Sequence, residues 1–108
     1  AFEGHKNIIA PSICDICDCH VFHQYTLRII DRDRDGLMQH LLDKGIPCAI
    51  YYPIPLHSQK AYLDARYKEE DFPVTNLLAK QVISLPMHTE LDDEQIKFIT
   101  DSVLEYLK

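Results

Sequence analysis

The chain has 108 residues, of which 46% are hydrophobic and 26% charged, as in a typical single globular domain. Its 11 lysines and arginines against 17 aspartates and glutamates give a net charge of -6, which argues against binding to nucleic acid or an anionic membrane. No apolar run reaches the roughly 20 residues of a membrane span, and the first residues lack the apolar core of a signal peptide. We expect a soluble, cytoplasmic protein, and the start at Ala1 rather than Met predicts a processed chain or a piece of a longer one.

Three of the four cysteines lie close together near the N-terminus and are followed by His20 and His23. Thiolates and imidazoles at this spacing could bind a metal ion. The candidate ligands are Cys14, Cys17, Cys19 and His20. A structural zinc site usually takes two ligands from each of two separated pairs, however, and no second pair follows. We therefore expect free thiols in a reduced cytoplasm and keep a metal site as the alternative.

The first half of the chain predicts a strand, a helix and a second strand. The run from His20 to Ile30 is rich in β-branched and aromatic residues, which predicts a long strand. A helix of about three turns follows, because Asp33 can cap it, apolar residues recur at helical spacing and Gly45 can end it. Its apolar positions are Leu37, Met38, Leu41 and Leu42. The segment from Pro47 to Tyr52 predicts the second strand.

The second half begins with the longest irregular segment, from Pro53 to Pro73, with one helical turn expected from His57 to Leu63. Such long loops are usually functional or mobile. Pro73 can start a short helix that leads into VISLP, which predicts a short buried strand. Asp92 and Gln95 have the spacing of a capping box, which predicts a C-terminal amphipathic helix. The apolar positions of the two helices are Val74, Leu77 and Leu78, and then Ile96, Ile99, Val103 and Leu107.

The chain contains no GxGxxG, P-loop, GxSxG or HExxH motif, and three glycines are too few for a phosphate-cradling loop. The richest polar chemistry lies in YYPIPLH, from Tyr51 to His57. Two tyrosines at the end of a strand, followed by two prolines, could hold phenol and imidazole groups against a sugar or a nucleotide. The alternative is that the tyrosines pack on the core and His57 begins a helical turn. The residues by themselves favour this packing alternative.

Three longer stretches carry a resemblance to a known family. They are HVFHQYTLRI, RDGLMQHLLDKGIPCAIYYPIPLHSQKAY and DFPVTNLLAKQVISLPMHTELDDEQIKFITDSV. Together they resemble the C-terminal small domain of the DegT/DnrJ/EryC1/StrS family of nucleotide-sugar aminotransferases. The resemblance spans Val21 to Lys108 and leaves residues 1–20 as a connector from a large N-terminal domain. It implies an α/β (α+β) domain of the aspartate-aminotransferase-like, fold type I architecture, with a mostly antiparallel sheet of three or four strands and helices packed on it.

The resemblance also implies the chemistry of the whole enzyme. Pyridoxal phosphate would accept an amino group, typically from glutamate, and pass it to a nucleotide-linked keto sugar in amino-sugar or polysaccharide biosynthesis. The family's Schiff-base lysine lies in the large domain, and no lysine here has its setting. We therefore expect no catalytic or cofactor-binding residue in this chain and no activity from it alone. The implied partners are the large domain, the nucleotide sugar and a second subunit of a homodimer.

The resemblance assigns four substrate-binding residues. Tyr51, Tyr52 and Pro53 match the family's [HY]-Y-P element, and His57 matches the histidine of its P-L-H. This implies that the segment lies near the mouth of the active site and helps to bind the nucleotide sugar. The cysteine cluster is not part of the family pattern. Two alternatives stay open, a metal- or thiol-binding module built around Cys14 to His23 and a free-standing assembly or regulatory domain.

Overall fold

The structure, a computed structural model, describes residues 1–13, 21 and 23–108. This part of the chain forms three strands and three α-helices. In chain order they are β1 (Ile8–Ile9), β2 (Tyr25–Ile29), α1 (Arg34–Asp43), α2 (Pro73–Gln81), β3 (Val82–Leu85) and α3 (Asp93–Tyr106). Between α1 and α2 the chain makes single turns of 3-10 helix at Leu56–Ser58, Lys60–Tyr62 and Glu69–Asp71.

The three strands form one antiparallel sheet in the order β1-β2-β3, which confirms the predicted architecture. Leu27 of β2 lies opposite Ile83 of β3, and both side chains are completely buried. Because side chains alternate between the faces of a sheet, Thr26 and Ser84 lie on the other face, where their hydroxyl oxygens are 2.8 Å apart. Val82 lies on this second face as well, and it lines the cavity that forms the candidate functional site.

Two predicted strands differ from the observed ones. The first was predicted from His20 to Ile30, of which His20 and Phe22 lie outside the described residues. The observed strand is Tyr25–Ile29 and does not include His23 or Gln24, because Tyr25 pairs with Leu85 and Pro86 follows with no N–H to extend the ladder. The predicted strand from Pro47 to Tyr52 is wrong. Of that segment, only Ala49 pairs with the sheet, through two hydrogen bonds of 3.1 and 2.8 Å with Ser84.

β1 is a strand that the sequence did not predict, in the segment expected to be a connector. Ile8 pairs with Ile29, and Phe2 and Ile8 are both buried in the core. Phe2 and Ile8 therefore tie the N-terminal segment to the same core as the rest of the domain. The role of residues 1–20 as a link to a large domain stays a prediction.

Helices α1 and α3 begin and end as predicted. The Asp33 carboxylate accepts a hydrogen bond of 2.9 Å from Gly36 N, and Gly45 follows α1 in the left-handed region at φ 75°. Asp92 and Gln95 form the expected capping box on α3, with bonds of 2.8 and 3.1 Å. The buried apolar residues of both helices join the sheet in one core, which contains Leu27, Ile29, Leu37, Leu41, Ile83, Ile99, Val103 and Leu107.

Four apolar positions predicted to face the core are exposed instead. They are Leu42 on α1, Val74 and Leu77 on α2 and Ile96 on α3. Helix α2 begins at Pro73 as predicted, but none of its side chains is fully buried. The position of α2 therefore depends less on the apolar core than the positions of α1 and α3 do.

Candidate functional site

A cavity of about 730 Å³ lies between α2 and the loop that follows Tyr51. Its wall is mostly aromatic and aliphatic. It is lined among others by Tyr51, Tyr52, His57, Tyr62, Tyr67 and Phe72 from the loop side, and by Thr75, Leu78, Ala79 and Val82 from α2 and β3. This is the composition of a small-molecule site in which few polar groups set the orientation of the ligand.

His57 is held in the cavity wall by two contacts. Its ring stacks on Phe72 with 4.4 Å between the ring centroids and 18° between the planes. Its Nε2 lies 3.0 Å from Asn76 Oδ1, and the amide nitrogen of Asn76 donates a bond of 2.6 Å to the Glu69 carbonyl. Because that amide nitrogen is already used, Asn76 accepts from His57, so the imidazole carries a proton on Nε2. The ring is therefore held in position with its Nε2 facing Asn76.

Tyr51 and Tyr52 lie at the rim of the cavity rather than in the core. Their exposed fractions are 49% and 84%. Tyr52 adopts φ 59°, a left-handed conformation that is costly for a residue with a large side chain. Exposure of both phenols argues against the alternative in which these tyrosines pack on the core. Pro53 follows them, is exposed, and lies outside the cavity wall.

Of the four predicted site residues, the structure brings Tyr51, Tyr52 and His57 together at one cavity. His57 also lies in a turn, the 3-10 turn Leu56–Ser58, as the packing alternative expected. The sequence reasoning missed Phe72 and Asn76, which hold the His57 ring. It also missed the tyrosines of the long loop, although an aromatic residue recurs there at positions 62, 67 and 72.

An ion pair lies in the outer part of the long loop. The guanidinium of Arg66 contacts the Asp64 carboxylate at 2.6 Å and lies 5.6 Å from the centroid of the Tyr67 ring. Side-chain and backbone hydrogen bonds from Arg66 lower the pKa of Asp64. Tyr67 in turn lies 6.0 Å from Phe72, which continues the aromatic wall to His57.

The cavity wall does not fit pyridoxal phosphate. That cofactor needs a lysine for its Schiff base and a set of donors for its phosphate. No lysine or arginine lies among the residues that line the cavity. The wall is suited to part of a substrate that carries flat or apolar faces.

The predicted metal ligands Cys14, Cys17, Cys19 and His20 lie outside the described residues. Within residues 1–13, 21 and 23–108, no three His, Cys, Asp or Glu side chains lie close enough together to hold a metal ion. Cys48 is half-buried, and this burial raises the pKa of its thiol. In the same part of the chain, no helix has both the length and the apolar character needed to span a membrane.

Comparison with known proteins identifies the family. The DegT/DnrJ/EryC1/StrS aminotransferase family matches residues 2–104. The chain belongs to this family. Superposition on the crystal structure of DesV from S. venezuelae, solved with a ketimine intermediate, gives a TM-score of 0.88 at 32% identity and covers 99% of this chain. This match confirms the predicted fold, a small domain of the aspartate-aminotransferase-like architecture.

Curated relatives in the family are much longer than this chain. A UDP-N-acetyl-3-dehydro-alpha-D-glucosamine 3-aminotransferase from Acidithiobacillus ferrooxidans is 47% identical over 77 residues, which cover 71% of this chain and 20% of that protein. A pleiotropic regulatory protein from Geobacillus stearothermophilus is 40% identical over 89 residues, which cover 82% of this chain and 23% of that protein. The DesV match likewise covers 28% of DesV. The chain thus spans less than a third of the length of these proteins.

Proposed function

We propose that the full-length protein is a pyridoxal-phosphate aminotransferase that transfers an amino group, with glutamate as the donor, to the keto group of a nucleotide-linked sugar. The aromatic cavity around His57 carries this proposal. It is large enough for part of a substrate and has no lysine or arginine in its wall that could hold the cofactor. The chain that forms it belongs to the aminotransferase family. A relative named as a UDP-linked 3-aminotransferase supports the substrate class. The product would be an amino sugar for a polysaccharide or a related glycan.

The residues of this chain bind and orient the substrate. Tyr51 and Tyr52 place two phenol groups at the rim, where each can exchange hydrogen bonds with sugar hydroxyl or phosphate oxygens. The aromatic faces inside the cavity can contact the apolar face of a sugar ring or a base. His57, fixed by Asn76 and Phe72, presents a rigid imidazole edge. Pro53 restricts the backbone that follows the two tyrosines.

The remaining parts of the active site belong to the rest of the full-length protein. Pyridoxal phosphate, when bound, supplies the electron sink that amino transfer requires. We propose that a large N-terminal domain holds the cofactor and that residues 1–20 connect it to this domain. A homodimer and a cytoplasmic location complete the proposal. The 108-residue chain by itself is expected to show no transaminase turnover.

The test is a transamination assay of the purified full-length protein with glutamate and a panel of UDP- and dTDP-linked keto sugars. We expect 2-oxoglutarate to form with at least one of them. His57→Ala should raise KM for the nucleotide sugar, while His88→Ala should not, because His88 accepts an exposed hydrogen bond from Glu90 N and lies outside this cavity. Absence of turnover with every nucleotide sugar, from protein that binds pyridoxal phosphate, would contradict the proposed function.

A further inference from the structure

Helix α2 forms one wall of the cavity although the apolar core does not hold it. Thr75, Leu78 and Ala79 line the cavity, yet no side chain of the helix is fully buried. Burial of apolar side chains is what normally fixes a surface helix against its domain. The position of this wall must therefore depend on polar contacts.

The strongest polar contact comes from Arg34, the first residue of α1. Its Nη1 donates hydrogen bonds of 3.1 Å to the Ala79 carbonyl and 2.6 Å to the Val82 carbonyl. Ala79 lies in the last turn of α2, where carbonyls lack partners within the helix and carry the negative end of its dipole. Only 11% of the Arg34 side chain is exposed, so water screens these bonds little. Both carbonyls belong to residues that line the cavity.

Two further contacts support this arrangement, one by orienting Arg34 and one by holding the end of α2 directly. The Nε of Arg34 donates a bond of 2.6 Å to Asp35, which orients the guanidinium plane. Arg28 of β2 donates bonds of 3.3 and 2.9 Å to the side-chain oxygen of Gln81, the last residue of α2. The junction is thus tied both to the start of α1 and to the central strand. A lysine at position 34 could reach a carbonyl but could not also keep the planar contact with Asp35.

We propose that Arg34 is a positioning residue of the substrate site. Arg34 holds the junction of α2 and β3 in place without touching the substrate. Because Leu78, Ala79 and Val82 lie at this junction, their part of the cavity wall is held in place with it. The Asn76 amide that binds His57 lies on the same helix, so the position of α2 also sets the position of the imidazole. This inference rests on the proposed function, because the cavity is taken to bind the nucleotide sugar.

The first test is hydrogen exchange, followed by mass spectrometry, on the full-length enzyme. In Arg34→Ala we expect peptides that cover residues 73–85 to exchange roughly tenfold faster, since charged hydrogen bonds of this kind are removed. Peptides from β2 and α3 should be unchanged. The control is Lys97→Ala, which removes an exposed ion pair with Asp101 on α3 and should leave residues 73–85 as in the wild type.

The second test is steady-state kinetics with the nucleotide sugar that the wild-type enzyme uses. Arg34→Ala should raise KM about tenfold and leave kcat within about twofold, because binding rather than chemistry is disturbed. Arg34→Lys should give intermediate values in both tests, and it replaces Arg34→Ala if that variant does not fold. Unchanged exchange at residues 73–85, or an unchanged KM in an active enzyme, would overturn the inference. A wild-type enzyme inactive with every nucleotide sugar would instead overturn the proposed function.

Discussion

His57 and Asn76 are joined by a hydrogen bond of 3.0 Å that connects the long loop to the first turns of α2. The two residues are 19 positions apart in the chain. Through its other amide atom, Asn76 also binds the Glu69 carbonyl at 2.6 Å. One side chain therefore links the imidazole, the loop and the helix that together form the cavity wall.

Replacing Asn76 tests this link. Asn76→Ala removes both hydrogen bonds and should lower the free energy of unfolding by about 1–2 kcal/mol. His57→Ala removes the same imidazole bond from the other side, so a double-mutant cycle of His57→Ala and Asn76→Ala isolates this pair, with an expected coupling of about 0.5–1.5 kcal/mol. Urea unfolding of the 108-residue chain measures all variants. Losses that add without coupling would show that the bond between His57 and Asn76 contributes nothing to stability.

The left-handed conformation of Tyr52 predicts that stability and substrate binding respond in opposite directions. Asn tolerates positive φ better than Tyr does, and the Tyr52 side chain is largely exposed. Tyr52→Asn should therefore raise the free energy of unfolding by about 1 kcal/mol. The same change should raise KM of the full-length enzyme for its nucleotide sugar. Tyr52→Phe, the control, should leave stability unchanged. A less stable Tyr52→Asn chain would contradict this account.

Gly36 is needed in the first turn of α1 for steric reasons. A Cβ at this position would collide with the Tyr106 hydroxyl and the Asp33 carboxylate. At a helix position where a Cβ meets no other group, Gly→Ala raises the free energy of unfolding by about 1 kcal/mol. Here we expect Gly36→Ala to lower it by roughly 1–3 kcal/mol. Thermal or urea unfolding gives the value.

One of the two groups that a Cβ at position 36 would meet, the Tyr106 hydroxyl, can be removed by substitution. The phenol lies beside Gly36 and Asp33, where the pKa of Tyr106 is raised, first by burial and then by the charge of Asp33. Tyr106→Phe should reduce the cost of Gly36→Ala, and a double-mutant cycle measures the coupling. If the two changes add without coupling, Tyr106 does not limit the space at Gly36.

The ion pair between Lys44 and Glu105 predicts a dependence of stability on pH. Lys44 Nζ lies 2.5 Å from Glu105 Oε2, and this hydrogen bond and charge lower the pKa of Glu105. A carboxyl whose pKa is lower in the folded chain contributes stability above its unfolded pKa of about 4.3, and the contribution disappears as pH falls through the folded value. Glu105→Gln should thus lower stability at pH 7 and have little effect near about pH 2.

Urea unfolding at both pH values measures this difference. Glu3→Gln, which changes an exposed carboxyl near the N-terminus, is the control and should show no such dependence. Salt should weaken the effect at pH 7 because both groups are partly exposed. A Glu105→Gln effect of the same size at both pH values would rule out the charge of Glu105 as its cause.

The sequence by itself determined the helices and the family. Asp33 and Asp92 cap α1 and α3, and apolar residues at helical spacing place Leu37, Leu41 and Val103 in the core. These signals are local, because a cap and a helical face involve residues only three or four positions apart. The resemblance of longer stretches to the family was likewise readable without a structure, and the family match over residues 2–104 confirms it.

Only the tertiary structure decided the sheet edges and the cavity. A strand of two residues such as Ile8–Ile9 has no signal of its own and exists because it pairs with β2. Pro47 to Tyr52 has the composition of a strand, but it pairs with the sheet only at Ala49. The cavity wall needs the loop to pack against α2 and Arg34 to reach its C-terminal carbonyls, which lie 45 and 48 residues further along the chain. Contacts over such separations depend on the packed fold, so no local pattern encodes them.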